Sequence, residues 1–525
     1  MTPKTLTPAL RVSPQIAASD MAAIAASGVR SIICNRPDGE EAGQPTAASI
    51  AAAAEAHGLR FAHVPVAAGY GQGDVAAMAR ALAELPAPVL AYCRSGARSE
   101  QLATMAAAVG KGGDASTWDI LVIGGGSAGI ATAASILRRR PGIRLAIVEP
   151  SGDHYYQPGW TMVGGGIFAP EDTRREEAAL IPAGVEWIRA AAASFDPAND
   201  RVVLADGRTL SYRVLVVCPG LKLDWDAIPG LPSALGQGGV TSNYRYDLAP
   251  YTNRLTREFR GGRALFTQPP MPIKCAGAPQ KAMYLACHRW EREGVLDRAR
   301  VQFHAATPAL FGVAAYVPAL EAYIARYGID LQLRSRLVSI DGAAKVAVFE
   351  QTRGEEVRQV EEQYDMIHVV PPQVAPDFIA ASPLAAPSGF LAVDEATLRH
   401  PGYANVFALG DVAATTNAKT AAAARKQAPV VAVNALAALD GAAPVAAYDG
   451  YGSCPLTVEA GRIVLAEFGY GGKLLPSFPK WLIEGTRPSR LSWLLKAKIL
   501  PTVYWHGMLR GREWLAAPRP IGQTM

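Results

Sequence analysis

The chain has 525 residues, more than a single hydrophobic core usually holds, so we expect two to four domains. Half of the residues are apolar and 18% are charged, which is the balance of a globular protein. Six scattered cysteines argue against a secreted disulfide scaffold and favour a reducing cytosol, and the N-terminus lacks the basic start and apolar run of a signal peptide.

The first predicted elements, in residues 1–109, alternate alanine-rich helical stretches with the strand-like segments VRSIICN, RFAHVPV and PVLAYC. This alternation predicts a small α/β domain. The last strand ends at Cys93, and the loop CRSGAR leads from it into a helix. Successive N–H groups of such a loop form an anion-binding nest at a helix N-terminus. We expect the nest and Arg98 to lower the pKa of the Cys93 thiol and make it nucleophilic.

The spacing of Cys93 and Arg98 favours sulfur over phosphate. Four residues separate them, one fewer than in tyrosine phosphatases, and a smaller cradle suits a persulfide's terminal sulfur better than a tetrahedral phosphate. The strings CNRPDGEEAGQP (34–45) and HVPVAAGYGQGDV (63–75), together with this loop, resemble a phosphatase-fold sulfurtransferase family that is often fused to persulfide-processing enzymes. The resemblance covers about residues 10–108 and implies a phosphatase-like α/β fold with a rhodanese-like loop.

Two alternatives remain for this domain. A phosphatase needs a general acid, for which Asp38 and Asp74 are available, although neither lies in a recognisable acid motif. The other alternative is a domain that has lost its chemistry. Arg36 is a candidate for binding an anion beside the Cys93 loop, whereas its segment NRPDGEE also fits an ordinary Pro-Asp-Gly turn.

A second domain is predicted to begin at residue 118, after a glycine-rich linker at 110–117. Its first strand runs into the G-x-G-x-x-G loop of Gly124, Gly126 and Gly129. These glycines permit the tight turn, the close approach of a pyrophosphate and the packing of helix on strand. Glu149 ends the next strand, where an acidic side chain binds a ribose hydroxyl. The pattern predicts a dinucleotide site.

A later motif favours FAD as the dinucleotide. In YANVFALGDVA, Gly410 and Asp411 follow an apolar strand, and in flavoproteins with two dinucleotide domains such an Asp contacts the ribityl chain. The second nucleotide domain should have its own glycine loop for NAD(P)H. Instead the strand RALFT is followed by three prolines, which lack N–H donors. We therefore expect that a nicotinamide is not the electron donor.

In place of that glycine loop the sequence has Cys275, in MPIKCAGAPQK. Lys274 is adjacent, and a helix is predicted to begin near Pro279. A neighbouring cation and a helix N-terminus both favour the thiolate, so Cys275 is a candidate catalytic residue. The alternative is a buried, inert cysteine.

Five strings then resemble sulfide:quinone oxidoreductases, in particular the mitochondrial-type branch, over about residues 118–514. They are HYYQPGWTMVGGG (154–166), KCAGAPQK (274–281), HVVPPQVAPDFI (368–379), AKTAAAARKQ (418–427) and YDGYGSCPL (448–456). The resemblance implies non-covalent FAD, sulfide as reductant, a quinone as acceptor and monotopic membrane attachment. Lys419 is expected near the isoalloxazine ring or the quinone.

One feature departs from the expected family pattern. The family works with two redox cysteines, and the second is expected directly after the Gly-Asp motif, where this chain has Val412. Cys287 lies about 18 Å from Cys275 if the intervening segment is helical. Cys454 matches a family position to which the resemblance assigns no redox role, and Cys218 lies at an unknown distance. The two-cysteine cycle is therefore in doubt at this stage.

The last region, residues 441–525 after a flavoprotein domain at 118–440, is predicted to contact quinone and membrane. From residue 473 onward it has nine Lys or Arg, two Glu and four of the nine tryptophans, the composition of a membrane-surface segment. Ordinary C-terminal packing is the alternative. The aromatic side chains of VYWHGMLRG (503–511) are candidates for a quinone entrance or for an interfacial belt.

Together these motifs predict a fusion enzyme with an N-terminal phosphatase-like α/β domain, a doubly wound FAD flavoprotein of two Rossmann-type domains and a C-terminal membrane-surface region. FAD accepts electrons from sulfide or a persulfide and passes them to a quinone, sulfane sulfur forms on Cys275, and glutathione, sulfite or Cys93 accepts it. We expect a homo-oligomer, peripheral on the inner face of the cell membrane, without bound metal or nucleic acid. The alternatives are an NADH:quinone-type FAD oxidoreductase and a sulfur sensor with a tyrosine-phosphatase-like N-terminal domain.

Overall fold

The computed structural model describes residues 3–67, 72–109 and 117–522. Most of the predicted linker, residues 110–116, lies outside them. The chain divides into two compact units, one comprising Met1–Ile120 with the short segments Arg139–Leu145 and Ser211–Arg213, and the other comprising the remainder.

The first unit is an α/β domain, as predicted. Its elements are β1 (Lys4–Thr7), β2 (Leu10–Ser13), α1 (Met21–Ala26), β3 (Ser31–Cys34), α2 (Ala47–Ala56), β4 (Arg60–His63), α3 (Gln72–Glu84), β5 (Val89–Tyr92) and α4 (Ala97–Val109). The strands form one sheet in the order β1-β2-β5-β3-β4, parallel except for β1.

The core of this unit lies on both faces of the sheet. One hydrophobic cluster includes Met78 of α3 and Leu102 of α4, and the other includes Ile24 of α1 and Ile50 of α2. The central strand β5 is buried along its whole length because it has a parallel neighbour on each side. Its carboxyl end, where ligands bind in open α/β sheets, leads directly to Cys93.

The second unit begins with a dinucleotide-type fold. The elements of this part are β6 (Thr117–Ile123), α5 (Ser127–Arg139), β7 (Leu145–Val148), β8 (Asp153–Tyr155), α6 (Trp160–Gly164), β9 (Arg174–Glu176), β10 (Val185–Ile188), β11 (Ala192–Asp196), β12 (Arg201–Leu204), β13 (Thr209–Val217) and β14 (Lys222–Leu223).

A second nucleotide-type region follows. Its elements are α7 (Leu231–Ala234), β15 (Val240–Thr241), α8 (Ala249–Glu258), β16 (Gly262–Gln268), α9 (Ala278–Arg292), β17 (Ala299–Ala305), α10 (Val317–Arg326), β18 (Asp330–Leu333), β19 (Ser335–Asp341), β20 (Val346–Arg353), β21 (Glu356–Gln363), β22 (Met366–His368) and β23 (Gln373–Val374).

The chain then returns to the first fold and ends in short elements. They are α11 (Asp377–Ala380), β24 (Val406–Ala408), α12 (Ala421–Leu439), β25 (Ala446–Ala447), β26 (Gly452–Glu459), β27 (Arg462–Phe468), α13 (Arg490–Leu494), α14 (Leu500–Thr502) and β28 (Arg519–Pro520). Between Arg490 and Arg510 the helical segments follow one another without a break. Within the described residues, no helix has the length and apolar character needed to cross a bilayer.

Two sheets organise these elements. The first has the order β10-β7-β6-β13-β12-β11, and β24 pairs in parallel with β13, so the first nucleotide fold is discontinuous in sequence. The second is the parallel sheet β15-β22-β16-β17-β18. Its core also includes α9 and the antiparallel hairpin β26–β27, and this cluster positions the candidate site.

Candidate active site

Cys275 lies in the loop between β16 and α9, two residues before Gly277, the N-cap of this 15-residue helix. Its backbone has φ +50°, in the left-handed region that a cysteine rarely adopts. The Cys275 N–H donates to the carbonyl of Lys419 at 2.7 Å, and its own carbonyl accepts from the Ala278 N–H at 2.7 Å. These bonds hold the thiol at the positive end of the helix dipole.

A second thiol, that of Cys454 in β26, lies beside the Cys275 thiol. Its Sγ lies 3.7 Å from Sγ of Cys275, although 179 residues separate the two in sequence. Gly277 makes this approach possible, because a Cβ there would lie 2.6 Å from Cys454 Sγ and 2.2 Å from Leu456 Cδ2. The two thiols are within reach of a disulfide after a small movement.

The charges around the pair make its two thiols unequal. The hydrogen bond from Cys454 lowers the pKa of Cys275 well below its ordinary value; burial opposes this, and the ammonium groups of Lys281 and Lys496 add to it. Lys281 Nζ donates to Cys275 Sγ at 3.1 Å. The same hydrogen bond and burial raise the pKa of Cys454 well above its ordinary value. Cys275 is thus the thiolate of the pair.

Lys496 reaches this site from the C-terminal helical segment. It is 4% exposed, and its Nζ donates to the carbonyl of Pro158 at 2.9 Å. Burial and the charge of Lys281 lower the pKa of Lys496 to about 7, while the thiols oppose the shift. Its ammonium group therefore titrates near neutral pH.

The expected position of the second cysteine is corrected by this geometry. Val412 is fully buried in a short helical turn, and the thiol that meets Cys275 is that of Cys454, which the sequence analysis did not select. Cys218 packs its Sγ 3.6 Å from the carbonyl of Gly124, and Cys287 is buried in the core cluster. Burial raises the pKa of both Cys218 and Cys287, so both are inert. The sequence signal that could have pointed to Cys454 was the string YDGYGSCPL, which contains it and resembles the family.

The glycine loop has the shape that a dinucleotide requires. A Cβ at Gly124, where φ is +107°, would lie 2.6 Å from the carbonyl of Cys218, and one at Gly129 would lie 1.9 Å from the carbonyl of Gly124. At Gly126 nothing lies within 4 Å, which leaves room for a pyrophosphate. Glu149 accepts from the N–H groups of Gly125 and Ser151, each at 2.8 Å. The residues present fit an ADP-type group.

The Gly-Asp motif is linked to the thiol pair through the electrostatic environment of Asp411 and through a backbone hydrogen bond. Gly410 has φ +75° and donates its N–H to Gln427 at 2.8 Å. Burial raises the pKa of Asp411, and the ammonium groups of Lys419 and Lys274 act against that rise. Lys419 Nζ donates to the carbonyl of Ala413 at 2.8 Å. Because the Lys419 carbonyl also binds the Cys275 N–H, the motif and the redox loop are directly linked.

One buried network was missed at the sequence level. His154 lies between Glu177, at 3.0 Å from Nδ1, and the hydroxyl of Tyr504, at 2.7 Å from Nε2. The other oxygen of Glu177 has no hydrogen-bond partner among the described residues, and a Cβ on Gly125 would lie 2.4 Å from it. A buried, unpartnered acceptor beside the glycine loop is suited to a hydroxyl or amide of a bound dinucleotide.

Tyr504 and Trp505 are both buried, which corrects one interpretation of the VYWHGMLRG segment. Trp505 packs edge-on against His154 and beneath the guanidinium of Arg175. These two rings therefore belong to the interior, and an interfacial belt is wrong for them. Trp481 and Trp514, by contrast, are 83% and 50% exposed.

In the first unit, Cys93 is buried at the end of β5 as the loop turns into α4. Gly96, at φ +91°, donates its N–H to Cys93 Sγ at 3.2 Å. Burial acts to raise the pKa of Cys93, but hydrogen bonds from Ser99, Gly96 and Ser95 outweigh it and lower this pKa. The predicted nest thus acts through backbone N–H groups of the loop.

The polar side chains near this loop are mostly paired. Arg98 Nη2 donates to Glu40 Oε1, and Arg36 donates to Glu40 at 2.6 Å and to Glu41 at 2.7 Å. Asp38 accepts from the N–H of Ala47 at the start of α2 at 2.7 Å, so its carboxylate is used in holding that helix. Asp74 lies in the first turn of α3.

Comparison with known proteins identifies both parts of the chain. Residues 3–110 match the family model described as beta-lactamase hydrolase-like protein, phosphatase-like domain, and residues 118–256 match pyridine nucleotide-disulphide oxidoreductase. The fold and the glycine loop therefore define a flavin-dependent disulphide-oxidoreductase class of protein with a phosphatase-like domain before it.

More specific relatives follow. The chain is 40% identical over 396 residues to the mitochondrial sulfide:quinone oxidoreductase of Dictyostelium discoideum, covering 75% of this chain and 86% of that protein. The chain belongs to the sulfide:quinone oxidoreductase family. The structure of the Aquifex aeolicus sulfide:quinone oxidoreductase has the same fold, with a TM-score of 0.62 at 19% identity over 75% of this chain and 92% of that one.

The N-terminal region has a relative of a different kind. It is 36% identical over 91 residues to the beta-lactamase hydrolase-like protein of Agrobacterium fabrum, covering 17% of this chain and 21% of that protein. The fusion of two families, predicted from the motifs, is confirmed.

Proposed function

We propose that the second unit oxidises sulfide to sulfane sulfur and passes the two electrons through FAD to a quinone. The observation that carries this proposal is the pair of Cys275 and Cys454, 3.7 Å apart, with Lys281 Nζ on Cys275. Family membership supports it, since the Dictyostelium relative is a sulfide:quinone oxidoreductase by name.

The inequality of the two thiols assigns their roles. With the pair oxidised to a disulfide, hydrosulfide attacks one sulfur and the other leaves as a thiolate. The thiol of lower pKa is the better leaving group, so Cys275 leaves and the persulfide forms on Cys454. This differs from the sequence-based expectation, which put the sulfane sulfur on Cys275. The 3.7 Å gap also lies within twice an S–S bond length, about 4.1 Å, so one sulfur atom fits between the pair.

The proposed FAD site uses residues from both ends of the second unit. The loop of Gly124, Gly126 and Gly129 holds the pyrophosphate, Glu149 the ribose, and Asp411 the ribityl chain, with Lys419 alongside. Once an acceptor such as glutathione or sulfite has taken the sulfane sulfur, the pair re-forms its disulfide, and bound FAD would take up the two electrons released and pass them to the quinone. Lys281 and Lys496 keep Cys275 ionised, which is the form that gives up its electron pair.

Membrane attachment is proposed for the C-terminal region, where the quinone is expected to enter. Several large apolar side chains there are exposed: Trp481, Leu482, Leu491, Leu494, Ile499, Trp514 and Leu515. Together with the net positive charge of residues 473–525, they suit an anionic lipid surface. Peripheral attachment on the inner face of the cell membrane and self-association remain predictions.

The first unit is proposed to be a sulfurtransferase that accepts sulfane sulfur as a Cys93 persulfide. The lowered pKa of Cys93 and the three N–H donors around it support a nucleophilic thiol. Asp38 is engaged at α2, which weakens the phosphatase alternative. Glutathione, sulfite and Cys93 are the candidate acceptors of sulfur from the second unit.

The test is anaerobic addition of sulfide to the FAD-loaded protein, followed by the flavin's visible absorbance. The wild type should bleach, and an added quinone should restore the colour. Cys275→Ser and Cys454→Ser should each slow bleaching by at least about 100-fold, because neither leaves a disulfide to attack.

Cys287→Ser is the matched control, because this thiol is buried and inert. It should bleach like the wild type. Normal bleaching in Cys454→Ser would refute the two-cysteine mechanism and would favour a mechanism in which Cys275 acts alone. Bleaching by NADH instead of sulfide would favour the NADH:quinone alternative.

A further inference from the structure

Arg98, one of the two arginines of the Cys93 loop, is paired with a carboxylate in the protein itself, whereas Arg94 is exposed. Arg98 Nη2 donates to Glu40 Oε1, and Arg98 is 21% and Glu40 23% exposed in their side chains. The hydrogen bond from Arg98 holds the pKa of the Glu40 carboxyl below its ordinary value, so the pair is ionised at neutral pH. A guanidinium held by a carboxylate offers a bound dianion less net positive charge than an unpaired one.

The neighbouring cation is neutralised in the same way. Arg36, whose side chain is 3% exposed, is bound by Glu40 and Glu41 and by the side-chain oxygen of Gln15 at 2.9 Å. Two arginines and two glutamates therefore leave this cluster without net charge. Arg36 is not available for the anion-binding role considered from the sequence.

The main groups that lower the pKa of Cys93 are backbone N–H groups of Ser99, Gly96 and Ser95, with neither Arg36 nor Arg98 among the largest causes. Such dipoles stabilise one negative charge on sulfur. They supply no formal positive charge for the second charge of a dianion, and Glu40 repels that charge.

We propose that Glu40 is the specificity residue of the Cys93 loop and restricts its donors to organic persulfides, R–S–SH, rather than the dianions thiosulfate and phosphate esters. This inference rests on the proposed sulfurtransferase function of the first unit. A persulfide carries at most one negative charge at its sulfane end, which matches a site in which Glu40 neutralises Arg98.

The transfer balances without an added oxidant. The Cys93 thiolate attacks the sulfane sulfur of R–S–SH, a bond forms between Cys93 Sγ and that sulfur, and the S–S bond of the donor breaks. The electron pair leaves on R–S⁻, and the products are the Cys93 persulfide and the thiol R–SH after proton uptake. No net oxidation occurs.

The test compares the full-length wild type with Glu40→Gln, using glutathione persulfide and thiosulfate as the two donors. Glu40→Gln keeps an acceptor for Arg98 but removes the negative charge. We expect the kcat/KM ratio of thiosulfate to glutathione persulfide to rise at least tenfold in this variant. The matched control is Glu41→Gln, because Glu41 contacts Arg36 but not Arg98 and is 61% exposed; its ratio should stay within twofold of wild type.

A second readout does not require turnover. Tungstate, a tetrahedral dianion, should protect Cys93 from alkylation by iodoacetamide at a concentration at least tenfold lower in Glu40→Gln than in wild type. An unchanged donor ratio together with unchanged tungstate protection would overturn the inference while leaving the transferase function intact. If no donor forms a Cys93 persulfide in wild type, the proposed function fails, and tungstate protection alone decides whether Glu40 excludes dianions.

Discussion

The low pKa of Cys275 comes first from the hydrogen bond with Cys454, and the ammonium groups of Lys281 and Lys496 add to it. Lys281 Nζ lies 3.1 Å from the Cys275 sulfur inside a buried site, where a charge is weakly screened. The pKa of Lys281 is raised by the two thiols against the effect of burial, so it remains protonated above neutral pH. Lys496, with a pKa of about 7, loses its charge as the pH rises through neutrality.

Replacing Lys281 should therefore make Cys275 a weaker nucleophile at neutral pH. In Lys281→Met the pKa of Cys275 should rise, because the nearest opposite charge is gone. The check is the pH dependence of iodoacetamide labelling at Cys275, read by peptide mass spectrometry on the reduced protein. Lys473→Met, an exposed position, is the control, and a profile equal to wild type in Lys281→Met would contradict the assignment.

At the scale of elements, the site depends on how closely the β26–β27 hairpin approaches the start of α9. Motifs whose residues are close together in the sequence could be predicted. The glycine loop, the Gly-Asp turn and the Cys93 loop are such motifs, and each follows a strand. The partnership of Cys275 and Cys454 was not readable, because it arises from tertiary packing across 179 residues. The pairing of Glu40 with Arg98 was not predicted for the same reason, since it joins a loop to the first turn of α4.

Gly277→Ala should separate the thiols without straining the backbone. Gly277 has φ −84°, which alanine adopts readily, but the added Cβ would meet Cys454 Sγ and Leu456. We expect a loss of about 1–3 kcal/mol in the free energy of unfolding and at least tenfold slower disulfide formation between Cys275 and Cys454. Gly312→Ala, where an added Cβ meets nothing within 4 Å, is the control. Equal rates in the two variants would show that Gly277 does not set the gap.

The exposed side chains of the C-terminal region carry the prediction on membranes. The double variant Trp481→Ser, Leu494→Ser should reduce sedimentation with anionic vesicles at least tenfold, because each apolar side chain contributes about 1.5–3 kcal/mol when buried in lipid. Val357→Ser on β21, also exposed, serves as the control. Undiminished binding of the double variant would move the contact surface elsewhere.

For the whole molecule, two buried histidines tie stability to pH. Burial lowers the pKa of both His304 and His368 to about 4, from an ordinary value of 6.5. Between pH 6.5 and 4 the unfolded chain binds more protons than the folded one, so their contribution is complete above pH 6.5 and is lost as the pH falls.

Lowering the pH from 7 to 5 should accordingly destabilise the second unit by about 2 kcal/mol per histidine. Guanidinium unfolding of wild type and His304→Gln at both pH values measures this. The variant should be less stable at pH 7 but should lose less stability on acidification. An equal loss in both proteins would mean that His304 is not held neutral by the fold.

The residues of the thiol site are synthesised at widely separated times. Cys275 leaves the ribosome 221 residues before Lys496, an interval of roughly 10–40 s at 5–20 residues per second. During the first part of that time the nascent chain lacks the hairpin that contains Cys454, and until its end the chain lacks Lys496. Cys275 therefore acquires its partner thiol and the Lys496 ammonium group only after both of those segments have been synthesised.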